Sequence, residues 1–133
     1  FEESISKNQR NRFHLAGWCT KEELAVYFET SWAQLSPSWF ETFGLAALEA
    51  MAYGVGVIGT TAGALPELVV NGESGLLSRP RDVDALVTNT VRVLKDGELA
   101  RSLGRAATKR ARRFFPWSKV VMQHLEVYES CLN

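Results

Sequence analysis

Two carboxylates, Glu41 and Glu49, stand with seven residues between them in the stretch WFETFGLAALEAMAYG, which runs from Trp39 to Gly54. From Leu45 to Ala52 every residue except Glu49 is Leu, Ala or Met, so this segment reads as a helix that is apolar nearly all round and enclosed by protein. An ionised carboxylate there is costly unless paired or hydrogen-bonded, so Glu49 is expected to face a bound partner, an internal cation or a water-filled cleft. The helix start falls at Thr42-Phe43-Gly44, with Thr42 as the cap and Gly44 allowing close approach to the backbone. The unpaired N–H groups of such a terminus attract an anion. At a rise of ~1.5 Å per residue the Glu49 carboxylate would lie ~6–8 Å from them. A phosphate and a vicinal diol one sugar away span that gap, because a carboxylate accepts from two hydroxyls at once. Nucleotides have this shape.

Each of these residues also has a plain structural reading. Glu49 could form an ion pair with a core arginine or cap a neighbouring helix. Glu41, a turn residue beside a helix start, could simply complement the helix dipole, and for Glu67, behind Pro66, that reading is favoured. His14 reads as a packed or edge histidine and His124 as a helix-surface residue. Trp39-Phe40 could stack on a base, although packing against the sheet edge is the commoner role of such a pair.

The elements around this stretch alternate. Arg12 to Gly17 reads as a short strand, and Thr20-Lys21-Glu22-Glu23 as a capping box opening a helix from Glu22 to Thr30. A strand at Ala33 to Ser36 is stopped by Pro37. Past the central helix, Gly54 is the expected C-terminal cap and Val55 to Gly59 a buried parallel strand. A short helix from Pro66 to Val70 and a strand from Gly75 to Ser78 follow. Asp82 or its neighbours cap a helix from Val83 to Lys95, and two more helices follow, near Glu98 to Arg113 and Ser118 to Cys131. The residues from Phe1 to Arg12 read as the tail of a helix or a loop leading into a strand. The alternation predicts an α/β fold, a Rossmann-like parallel sheet of about four strands with helices on both faces. Ligands of such sheets bind outside the carboxyl ends of the strands, so the loops from Pro37 to Gly44 and from Thr60 to Pro66 belong on one edge together.

With 133 residues, 46% of them hydrophobic, the chain can build one globular core but not two. Lys+Arg and Asp+Glu are both 15, a balance that offers no bulk charge for nucleic acid. Cys19 and Cys131 sit apart without any metal-ligand spacing, which fits a reducing cytosol better than a disulfide framework. No apolar run approaches the ~20 residues that span a bilayer, and the N-terminus is neither a signal core nor a transit segment. From Arg101 to Lys119 the charges are all basic, and Arg101, Arg105, Lys109 and Arg112 share one helix side opposite Leu99, Leu103, Ala106, Ala107 and Phe114. Such a helix could make peripheral contact with an anionic membrane or face an acidic partner. A solvated face is the favoured reading, because the same helix must cover the sheet.

The ordered run of Ser36-Pro37-Ser38, Glu41 and Glu49 in E-T-F-G-L-A-A-L-E-A-M, Gly63-Ala64-Leu65-Pro66-Glu67, Asn71-Gly72…Gly75-Leu76-Leu77 and Phe115-Pro116-Trp117 resembles the C-terminal donor-binding domain of retaining GT-B glycosyltransferases. The pair of glutamates resembles their Glu-x7-Glu motif. The resemblance implies that Glu49 binds the ribose hydroxyls of a nucleotide sugar, the donor substrate, and that Glu41, the candidate catalytic residue, lies near the donor sugar. It further implies that backbone amides at Phe43, Gly44 and Leu45 approach the sugar and diphosphate. No cofactor and no metal are implied, since no Asp-x-Asp-like cluster is present. Thr42 stands where many members have Gly, Gly56 where a Pro commonly precedes the strand, and Ala64 where Gly is usual. Thr42 could narrow the donor pocket. The family has two Rossmann-like domains with the active site between them, and its second domain opens with strands bearing an Arg and a Lys that neutralise the diphosphate. No counterpart of those strands precedes Phe13. The chain therefore reads as a single partial domain that lacks the acceptor domain and is inactive alone, awaiting its N-terminal domain or another chain. The alternatives are a nucleotide-sugar-binding module that never catalyses and a protein-interaction domain working through the basic helix.

Overall fold

The computed structural model describes Ser6 and residues 8–132. The reading of residues 1–12 lies partly outside them; within them Arg10–Arg12 forms a single 3-10 turn. The elements then follow as α1 (Lys21–Thr30), β1 (Gln34–Ser36), α2 (Leu45–Ala52), β2 (Val57–Thr60), α3 (Leu65–Leu68), β3 (Gly75–Ser78), α4 (Val83–Lys95), α5 (Gly97–Phe114) and α6 (Trp117–Leu132). The strands form one parallel sheet in the order β1-β2-β3.

Helices cover both faces, as the alternation predicts. On one face Val57 and Leu77 meet Ala47 and Met51 of α2, Leu65 and Leu68 of α3, and Ala107 and Ala111 of α5. On the other, Ile58 and Leu76 meet Val93 of α4 and Leu103 of α5. The register pairs Ile58 with Leu76 and Gly59 with Leu77, so successive residues serve opposite faces and both strands are buried throughout. Helix α5 reaches both layers because Gly104 leaves room: a Cβ there would stand 2.0 Å from the Gly54 carbonyl oxygen. Gly54 itself, at φ 86, closes α2. Val55 N donates to Ala50 O and Gly54 N to Met51 O, the paired bonds of a Schellman cap.

The sheet has three strands among the described residues, not four. Residues 13–17 join no strand, and Phe13 and Leu15 are exposed. A strand is held by hydrogen bonds to a neighbour, so an alternating pattern alone does not make one. The predicted capping box is present: Thr20 Oγ1 accepts from Glu23 N, and Glu23 returns a carboxylate to Thr20 N at 2.8 Å. Asp82 and Asp96 cap α4 and α5 through the amides of Ala85 and Leu99. Both cysteines are free thiols, and no helix of the described residues is long and apolar enough to cross a membrane.

Candidate functional site

The three carboxyl ends of the strands are stitched together. Thr60, at the end of β2, donates from its hydroxyl to Ser38 O at 2.6 Å, and Thr61 N donates to Ser78 O at the end of β3. Ala64 N donates to Glu41 O at 2.9 Å, which ties the loop after β2 to the loop after β1. The two loops expected on one edge are therefore in contact there. Gly63, at φ 56, is what permits it: any Cβ would lie 1.9 Å from Glu41 O.

Glu41 sits at the centre of this knot. Its Oε1 accepts from Gly44 N at 3.1 Å and its Oε2 from the Ser38 hydroxyl at 3.4 Å. The structure thus assigns the start of α2 to Glu41 and not to Thr42, whose exposed side chain makes no cap bond. The reason is conformational. Gly44 is the N-cap residue with φ 87, a left-handed conformation that turns its N–H back toward the Glu41 carboxylate. Gly44 is also buried rather than open to a ligand, because Leu68 Cδ1 lies 2.8 Å and Leu65 Cδ2 3.4 Å from where its Cβ would be. Of the three backbone positions implicated by sequence, Gly44 already has its N–H bonded to Glu41. Among the described residues, no acceptor meets the N–H groups of Phe43, Leu45, Ala46 or Ala47.

Helix α2 is not enclosed. Ala47, Ala50 and Met51 are buried, but Leu45, Ala46, Glu49 and Ala52 line an exposed stripe, with Leu45 61% accessible. The Glu49 carboxylate makes no ion pair or hydrogen bond among the described residues. It needs none for stability, since solvent reaches it. Leu45 and Glu49, four residues apart, lie one above the other on that stripe. The structure therefore leaves a bare carboxylate on the open face of α2, one turn beyond a helix start whose first N–H groups have no acceptor among the described residues, at the carboxyl edge of the sheet. Glu41 lies at the base of this face, engaged with its own loop.

Sequence reasoning missed several neighbours. Trp39 and Phe40 do not pack on the sheet edge; they are 72% and 75% exposed, and the Arg81 guanidinium lies 4.8 Å from the Trp39 ring centre. A cleft of about 150 Å³ opens between Pro37, Trp39, Thr60, Arg79, Arg81 and Leu86. A larger cavity of about 290 Å³ lies at the opposite edge, beside Trp32, Gly54 and Gly97. Its cation Arg101 is paired with Glu98 at 2.6 Å, and the amino ends of parallel strands lack the converging loops of a ligand site. Arg105, Lys109 and Arg112 are exposed, as a solvated helix face requires. Arg110 is different: it donates to the backbone of α3. Nothing in the residue pattern signals that bond. His14 is exposed and near Tyr27 Oη at 3.1 Å, His124 is exposed, and Glu67 is exposed at the start of α3. No group of three His, Cys, Asp or Glu side chains among the described residues is placed to hold a metal ion.

Residues 1–110 match the family described as glycosyl transferases group 1. The MMP α-(1→4)-mannosyltransferase of Mycolicibacterium hassiacum is 38% identical over 120 residues, 90% of this chain and 29% of that protein. The sucrose-phosphate synthase of Thermosynechococcus elongatus superposes with a TM-score of 0.87 at 36% identity, over 94% of this chain and 31% of that one. Anabaena HepE, solved in complex with UDP, superposes with a TM-score of 0.72 at 25% identity, over 77% of this chain and 29% of that one. The chain thus spans under a third of the length of these relatives. With its parallel sheet, its two helical layers and its stitched carboxyl edge, the chain belongs to the glycosyl transferases group 1 family, whose members among these relatives are GT-B enzymes.

Proposed function

We propose that this chain is the donor-binding part of a retaining glycosyltransferase, which passes a sugar from a nucleotide diphosphate sugar to an acceptor hydroxyl. The observation that carries the reading is the exposed stripe of α2, where the unpartnered Glu49 carboxylate stands one turn beyond a helix start whose first N–H groups have no acceptor among the described residues. The N–H groups of Leu45 and Ala46, aided by the helix dipole, take the charge that grows on the leaving diphosphate. Glu49, one turn further on, accepts from both ribose hydroxyls. Glu41 borders the donor sugar and holds the loop under it through Gly44 N. HepE, which superposes on most of this chain, is known with UDP, and that supports a nucleotide in the same place.

No metal or cofactor enters this reading; cations for the diphosphate, the acceptor site and the transfer itself are assigned to parts of the protein beyond this chain. Retention of configuration is proposed from the resemblance of the Glu41 and Glu49 pair to the Glu-x7-Glu motif of retaining enzymes. Calorimetric titration of UDP, GDP and ADP, and of their sugar conjugates, into this chain and into Glu49→Ala tests the reading. Binding of one nucleotide that disappears in the variant is expected. Equal binding by the variant, or no binding by the folded chain, overturns the pocket.

A further inference from the structure

The loop that carries Glu41 and Gly44 does not rest on the sheet alone. Beneath it lies α3, four residues long, whose Leu65 and Leu68 close over Gly44 and whose leading residue Ala64 donates to Glu41 O. A helix of one turn cannot sustain itself, and its last carbonyls have no donors within it. Here the donors come from a distant residue. Arg110 of α5 donates from Nε to Leu68 O at 2.5 Å and from Nη2 to Glu67 O at 2.7 Å. Its guanidinium lies 5.1 Å from the Phe114 ring centre, and α5 is itself anchored by the buried Leu103, Ala107 and Ala111. A planar guanidinium offers two donors to two neighbouring carbonyls at once; an ammonium is a point donor without that fork.

We infer that Arg110 is a positioning residue for the donor site: by pinning the end of α3 it sets the Glu41–Gly44 loop against the start of α2. The chain of contacts is continuous, from Arg110 to Leu68 O, from Leu68 to Gly44, and from Gly44 N to Glu41. The inference rests on the reading of that loop as part of the donor site. Arg113 is a built-in control, since its guanidinium lies as close to the Phe114 ring, 5.1 Å, yet donates to no carbonyl among the described residues.

The test compares the unaltered chain with Arg110→Met, Arg110→Lys and Arg113→Met. Amide hydrogen exchange is read without nucleotide, and affinity is read by titration with UDP, GDP and ADP. Arg110→Met should speed exchange at Gly44, Ala64 and Val69 about tenfold, leave Ile58 and Leu76 unchanged, and weaken the bound nucleotide about tenfold. Arg113→Met should change neither. Arg110→Lys should recover only part of the affinity; full recovery would mean that the charge acts on the nucleotide directly and would overturn the positioning role. Equal acceleration at all five amides, or none at Gly44 and Ala64, also overturns it, as does a loosened loop with unchanged affinity. If the unaltered chain binds no nucleotide, the donor reading falls, while the exchange data still decide whether Arg110 holds the loop.

Discussion

Glu41 and Glu49 are the same residue type in one short motif, and the fold treats them in opposite ways. Both oxygens of Glu41 accept hydrogen bonds from its own loop, and its carbonyl accepts one from Ala64. The Glu49 carboxylate accepts nothing among the described residues and faces solvent. The first carboxylate holds its own loop together and the second is left unbonded on the surface. A carboxylate bonded to backbone amides contributes stability, whereas an exposed unpaired one contributes almost none. Loss of the first should therefore register in folding and loss of the second in binding.

The largest effect should come from Gly63→Ala, which forces a methyl into the Glu41 carbonyl from a left-handed backbone. A loss of about 3–5 kcal/mol in urea unfolding is expected, a large share of a small domain's stability. A loss under about 1 kcal/mol would mean that the two loops are not joined as described. Next, Glu41→Ala removes the acceptor for Gly44 N and should cost about 1–2 kcal/mol in the same measurement. Glu49→Ala should leave stability within about 0.5 kcal/mol while weakening nucleotide binding on the order of a hundredfold, as the loss of charged hydrogen bonds to two hydroxyls requires. A destabilised Glu49→Ala would erase the contrast between the two carboxylates. The smallest effect belongs to Thr42→Ala, within about 0.5 kcal/mol; a loss typical of an N-cap, about 1 kcal/mol, would return the cap to Thr42.

Much of this was legible from residue order. Local signals act over a few residues, and they placed the capping box at Thr20-Glu23, the cap Asp82, the glycine end of α2 at Gly54, and the strand Gly75–Ser78. The rule that parallel strands gather their carboxyl-end loops brought the loops from Pro37 to Gly44 and from Thr60 to Pro66 to one edge from residue order alone. The errors share one cause. Residues 13–17 alternate like a strand but join no neighbour, Thr42 has the chemistry of a cap without the backbone for it, and the apolar surface of α2 hid a bare stripe.

Composition and spacing determined that this chain makes helices covering a parallel sheet, and that Glu49 lies one turn beyond a helix start, because those features depend on periods of two and 3.6 residues and on caps read locally. Only the tertiary structure decided which face of α2 stays open, which carboxylate is committed to the loop, and that Arg110 reaches back 42 residues to Leu68 O. Burial and hydrogen-bond partners across such separations depend on how layers stack, and no local pattern encodes that stacking.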